Sequence, residues 1–339
     1  MPDEPDTHTP FESILESDPP AEDIDEYVEQ IRQTAEKLKT DGCNRGDAKL
    51  LASALKELRH CFRVFANYHD KRKVTVFGSA RTKPDHPAYK AAVEFGRQMA
   101  EVGYMVITGA AAGIMEAGHV GAGRENSFGL NILLPFESGA NSVILDDPKL
   151  MNMRYFFTRK LAFIKESDAV ALFPGGFGTH DEAFETLTLI QTGKSHIFPL
   201  VLVDEPGGDY WASWQKFVDD ALLARGYISP EDRSFYRITD SVDEAVKEVI
   251  DFYRVYHSMR YVRGELVLRL HSRLSETVMG KLRIEFADIL RDGAFEQCDA
   301  LPAEANEQEL AKFPRLKFRF KRHALGRLRQ LIDFVNREG

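Results

Sequence analysis

Residues Pro174 to Glu182 read PGGFGTHDE, a run in which three glycines are followed, one helical turn later, by a carboxylate. Glycine lets backbone approach a ligand closely. The first turn of a helix presents amides that lack intrahelical acceptors. Together these features suit a phosphate, so Gly175, Gly176, Phe177, Gly178 and Thr179 form the expected cradle. A Glu182 carboxylate facing that phosphate would repel it. It is better aimed at the neighbouring part of the ligand, where a carboxylate assists chemistry at a sugar carbon. A structural reading competes, because Thr179-His180-Asp181-Glu182 has the T-x-x-E form of a capping box. The run lacks the GxxxxGK[ST] spacing of a P-loop, and its GGxG is a weak match to the dinucleotide fingerprint.

Arg159 and Lys160 lie in RYFFTRKLAF, on the helix that leads into the strand before this turn. Paired bases usually mark a solvated face. Here their position lets them reach the crevice and hold an anion. Phe156 and Phe157 fit a core role better than base stacking. His119 and His180 have no partners at ligand spacing, and MEAGH is not HExxH, so no metal is expected.

The elements around these residues follow from periodicity. Asp168 to Phe173 is an apolar run with the length of a buried parallel strand. Beyond the turn, Ala183, Phe184, Leu187 and Ile190 share one side of a helix. The spacing predicts further strands over Val74–Ser79, Tyr104–Thr108, Phe128–Leu134 and Phe198–Val203. It predicts helices over His86–Val102, from Ile114, and over Asn152–Glu166, Trp211–Ala224 and Val242–Tyr256. Alternation of this kind implies an α/β fold with a doubly wound, Rossmann-like parallel sheet. Ligands bind such sheets outside the carboxyl ends of the strands. The small-residue turns at Gly78-Ser79, Thr108-Gly109 and Gly175–Thr179 all fall at such ends and are expected to converge.

That unit spans residues 69–256; around it, residues 1–23 read as an acidic, disordered tail, 24–68 as a helical hairpin and 257–339 as a small basic α+β domain. Residues 1–30 hold eleven acidic side chains and no Lys or Arg. Between Lys312 and Arg329 there are eight Lys or Arg and no Asp or Glu. Leu316, Phe318 and Phe320 alternate with Lys317, Arg319 and Lys321, which predicts a strand with one core face and one basic face. With its aromatics turned inward, that strand is no stacking platform, and nucleic acid is not the expected partner. A net charge of −9, with 43% hydrophobic and 29% charged residues, describes a soluble globular chain. No apolar run nears the ~20 residues that span a membrane. No secretory signal is evident. Cys43, Cys61 and Cys298 form no zinc spacing and suit free thiols in a reducing cytoplasm.

GSARTK, TGAAAGIMEA, GLNILLPFE, FFTRK and PGGFGTHDE stand in the order seen in the LOG ("Lonely guy") family, which the chain resembles over about residues 72–255, in the form of its long bacterial branch. These are nucleoside 5′-monophosphate phosphoribohydrolases, often labelled lysine decarboxylases. The resemblance implies that Arg159 and Glu182 are the catalytic pair. It also implies that Ser79, Gly109, Gly113 and Gly175 to Thr179 surround the nucleotide; Lys160, by its position beside Arg159, is expected as a further anion contact. Ala110-Ala111-Ala112 stands where the family more often has glycine. The expected reaction is hydrolysis of AMP, or an N6-substituted AMP of the cytokinin type, by a cytoplasmic homodimer without metal or organic cofactor. The competing expectation is a nucleotide sensor that binds an AMP-like ligand without turnover. Lysine decarboxylation would need pyridoxal phosphate on a lysine, and the motif offers none.

Overall fold

The computed structural model describes residues 24–133, 139–305 and 307–339. The acidic tail, and the end of GLNILLPFE from Leu134, lie outside the described residues. Strands β1 (Lys73–Phe77), β2 (Met105–Thr108), β3 (Ser127–Ile132), β4 (Leu150–Met153), β5 (Ala169–Leu172), β6 (Leu200–Val203) and β7 (Tyr236–Thr239) form one parallel sheet. Its order is β4-β3-β2-β1-β5-β6-β7. The α/β doubly wound fold expected from alternation is the fold of the chain.

The central strands are buried on both faces, which explains their unbroken apolar character. In β1, Val74 and Val76 enter one core layer while Phe77 enters the other. Helices α3 (Pro87–Glu101), α4 (Ile114–Ala122) and α8 (Val242–Phe252) cover the first layer. Helices α2 (Arg45–Phe65), α5 (Phe156–Glu166), α6 (Phe177–Gln191) and α7 (Tyr210–Phe217) cover the second. Helix α1 (Asp25–Lys37) precedes α2 and buries no side chain. The chain leaves β1 for one face and β5 for the other. These two strands are neighbours, with Phe77 opposite Leu172. The sheet therefore opens a crevice beyond their carboxyl ends, the usual ligand position in this architecture.

Three expectations need correction. The segment from Asn152 is not helical at its start: Leu150–Met153 pairs with β3, and the helix begins only at Phe156. Met151 and Met153 are buried while Asn152 is exposed and receives a hydrogen bond from Asn131, a two-residue period that four residues hardly reveal. The helix from Trp211 is α-helical only to Phe217 and continues as a π-helical stretch over Val218–Leu223. The helix expected to reach Tyr256 stops at Phe252, because Tyr256 opens a strand.

That strand belongs to a second, antiparallel sheet of β8 (Tyr256–Val262), β9 (Glu265–Leu270), β10 (Leu290–Cys298) and β11 (Arg315–Phe320), in the order β10-β11-β9-β8. It is accompanied by α9 (Glu276–Glu285) and α10 (Leu325–Glu338). Leu316, Phe318 and Phe320 point into the core, as their alternation indicates. The sheet's apolar face is continuous with the second core layer of the parallel sheet. Asn336 of α10 accepts from the Val255 and Tyr256 amides and donates to the Phe252 carbonyl, which ties the last helix to the junction.

Candidate active site

The three turns meet through their backbones. The Ser79 amide donates to the Pro174 carbonyl at 3.1 Å, and the Ile114 amide to the Ser79 carbonyl at 3.0 Å. Close approach dictates glycine at two positions. A Cβ on Gly175 would overlap the Thr179 hydroxyl and lie 2.9 Å from the Ser79 amide nitrogen. Gly113 has φ +69°, and a Cβ there would collide with the Ser79 carbonyl oxygen. A Cβ on Gly109 would stand 2.8 Å from the Met115 sulfur and 3.7 Å from a terminal nitrogen of Arg159.

Helix α6 starts at Phe177 with Gly176 as its N-cap. The Thr179 and His180 amides both donate to the Gly176 carbonyl, at 3.1 and 3.2 Å. Two corrections follow. Thr179 is the third helical residue and not the cap, so the T-x-x-E capping box does not form. The Thr179 amide is also spent inside the turn, which leaves Phe177 and Gly178 as the amides without an intrahelical acceptor. Nothing lies within 4 Å of where Cβ atoms would sit on Gly176 and Gly178, and the Phe177 ring is 97% exposed. The cradle opens outward.

Glu182, freed of any cap, sits one turn deeper and is 5% exposed. Its Oε2 is buried and has no hydrogen-bond partner among the described residues. Burial pushes the carboxyl up to about 7; Lys160 and Arg159 oppose the rise, while Glu185 and Asp181 add to it. Lys160 reaches in from α5, with its ammonium 3.7 Å from Glu182 Oε1, 2.9 Å from Asp181 and 2.5 Å from Glu185. Burial works against that charge, but the hydrogen bonds to Glu185 and Asp181 hold its pKa above the ordinary lysine value. Three carboxylates therefore surround Lys160, one of them Glu182. The Arg159 guanidinium lies over Phe156 and Phe163, 5.1 and 5.7 Å from their ring centres. Phe163 is core, whereas Phe156 and Phe157 are about half exposed. One helix thus delivers two cations to a carboxylate carried by the next.

Other groups hold the turn in place without a local sequence signal. Tyr210, at the start of α7, donates its hydroxyl to the Gly175 carbonyl at 2.5 Å and lies 2.7 Å from His180 Nε2. With the tyrosine proton committed to a carbonyl, His180 Nε2 must carry a proton and donate it. The only hint in sequence is the position of GGDYW beyond another strand's carboxyl end. His119 is fully buried and structural: its Nε2 lies 3.0 Å from both the Thr108 hydroxyl and the Phe128 carbonyl. Ala110 takes φ +61° and is fully buried, with its carbonyl bonded by the Asn141 amide and side chain. The alanine run accordingly keeps a glycine-like bend at its first residue.

Residues 107–249 match the family described as "Possible lysine decarboxylase". A cytokinin riboside 5′-monophosphate phosphoribohydrolase of Arabidopsis thaliana is 37% identical over 28% of this chain and 42% of its own length. A probable cytokinin riboside 5′-monophosphate phosphoribohydrolase of Oryza sativa subsp. japonica is 31% identical over 48% of this chain and 65% of its own. The chain thus spans less than two-thirds of either relative. Among solved structures, the molybdenum cofactor binding protein of Rippkaea orientalis is 20% identical over 53% of this chain and 98% of its own, with a TM-score of 0.37. Over residues 107–249 the chain is therefore similar to this family, and in sequence to phosphoribohydrolases that act on cytokinin riboside 5′-monophosphates.

Proposed function

We propose that this chain hydrolyses the N-glycosidic bond of a purine nucleoside 5′-monophosphate, AMP or a cytokinin-type N6-substituted AMP, to free base and ribose 5-phosphate. The observation that carries this reading is Glu182, a nearly buried carboxyl with an unpartnered oxygen, one helical turn from open amides. The Phe177 and Gly178 amides receive the 5′-phosphate. That anchorage holds the ribose so that its anomeric carbon faces Glu182, a positioning effect worth several kcal/mol of barrier. As the base departs, the sugar gains oxocarbenium character, which the Glu182 carboxylate stabilises while it orients the attacking water. Arg159 steers the carboxylate or binds the sugar phosphate. The relatives' printed activity on cytokinin riboside 5′-monophosphates supports the same bond cleavage. We also propose a homodimer as the working assembly.

The deciding experiment follows free base by chromatography from a panel of nucleoside monophosphates. Release of adenine or an N6-substituted adenine supports the hydrolase. Tight nucleotide binding with no release under any condition overturns it and identifies a sensor.

A further inference from the structure

We propose that Glu57, on helix α2, is a positioning residue of the active site: it braces the start of α5 from outside and fixes the turn that carries Arg159 and Lys160. The inference rests on the reading of Glu182 as the reacting carboxyl. Tyr155, the N-cap residue of α5, supplies no side-chain cap, although an uncapped helix start leaves amides unsatisfied. Glu57 braces that helix start from about one hundred residues away, through the amide just before the N-cap and a side chain of the first turn. Its Oε1 accepts the Arg154 amide at 3.0 Å, and its Oε2 lies 2.8 Å from the Thr158 hydroxyl, whose one proton is shared with the Tyr155 carbonyl at 2.9 Å. A carboxylate at a helix N-terminus also complements the helix dipole.

The brace itself is anchored in the core. Cys61 and Phe65, one and two turns beyond Glu57 on α2, are buried in the core. The Phe65 ring stacks on Phe128 of β3 at 4.5 Å. The Lys165 ammonium, at the other end of α5, lies 4.7 Å from the centre of the Phe62 ring. Helix α2 therefore grips α5 near both ends. Arg159 and Lys160 follow Thr158 directly, so any slack at Thr158 is passed to both cations. Glu182 faces Lys160 and Arg159 from α5, and Asp181 and Glu185 from its own helix. Drawing the α5 cations away leaves burial and two like charges acting on Glu182, which raises its pKa further. Glu57 precedes the family-matched residues 107–249, so helix α2, outside that match, takes part in positioning the site.

The test compares Glu57→Ala, Glu57→Gln and the isosteric Thr158→Val in the full chain. It reads the carboxyl titration of Glu182 directly by 13C NMR, together with kcat and KM for AMP. Glu57→Ala should shift the Glu182 midpoint and the ascending limb of the pH–rate profile upward. It should lower kcat at neutral pH about tenfold, below the ~10²-fold cost of a full 1 Å misplacement, with a smaller change in KM. Glu57→Gln keeps one acceptor for the Arg154 amide and should recover most of the loss. Thr158→Val removes the contact from the other side and should reproduce the shift even if Glu57→Ala does not fold. An unchanged Glu182 midpoint in the folded variants overturns the proposal. A wild-type chain that releases no base defeats the hydrolase reading instead, while the NMR titration still decides the role of Glu57.

Discussion

Glu182 is raised from an ordinary 4.5 to about 7, chiefly by burial. The sign of the consequence is opposite to that of a salt-bridged carboxylate. Between these two pH values the folded chain holds a proton that the unfolded chain has lost, so stability falls as pH rises through the window. Above pH 7 the burial of this one group costs on the order of 3 kcal/mol. Glu182→Gln carries no charge to desolvate. It is expected to resist urea better than wild type at pH 8 and equally well at pH 4. In turnover it should lose ~10²-fold or more, the typical worth of a positioned acid–base group. Base release by wild type should rise with a midpoint near pH 7 and lose that limb in the variant. A Gln variant less stable than wild type at pH 8, or one with near-normal turnover, would show that the carboxylate is an ordinary structural group.

At the scale of elements, the site is a junction of one strand pair and two helices. Strands β1 and β5 bring the Ser79 and Gly175 turns together, α6 supplies the amides and the carboxylate, and α5 supplies the cations. The amide cradle predicts dependence on the 5′-phosphate: AMP is hydrolysed and adenosine is not, because the phosphate anchors the ribose. Gly176 has a negative φ and open space around its missing Cβ, so Gly176→Val meets no clash in the fold. Its side chain enters the space where the phosphate would sit. Calorimetry should find AMP binding abolished in this variant, with the melting temperature within a few degrees of wild type. Equal turnover of adenosine and AMP would remove the phosphate from the mechanism.

At the scale of the whole molecule, the basic stretch near the C-terminus is largely neutralised at home. Arg315 is fully buried against Glu304, which also holds Arg269. Arg260 and Arg269 both engage Glu307, Arg319 engages Asp292, and Arg329 engages Glu248 and Asp333. This pairing leaves little of the run to meet a polyanion. The opposite holds for the surface beside the site. Leu51 and Leu55 on α2, and Phe156, Phe157 and Leu161 on α5, remain exposed although large and apolar. Clusters of this kind mark association surfaces. For the proposed homodimer, light scattering should give twice the chain mass, and Phe157→Glu should halve it. A wild-type monomer at tens of micromolar would refute the assembly. Among the described residues, no helix is long and apolar enough to cross a membrane.

The sequence by itself determined the local chemistry and the order of the main elements. Runs such as Ala169–Leu172 are continuous apolar strands, and three small-residue turns at strand ends limited where a ligand could bind. It also named Glu182 and Arg159, through motifs whose parts lie within a few residues of one another. Tertiary structure decided the rest. β4 and β7 are four residues long and exist because a neighbouring strand completes their hydrogen bonds. The T-x-x-E box is intact in sequence, yet the helix starts three residues earlier than that box would place it, at Phe177, which releases Glu182 from capping. Lys160 looks like an anion ligand in its motif and proves to be enclosed by Asp181, Glu182 and Glu185, residues of another helix. Glu57 and Tyr210 carry no local signal, because the groups they hold lie far along the chain. Partners separated by a hundred residues become legible only when packing brings them within 3 Å.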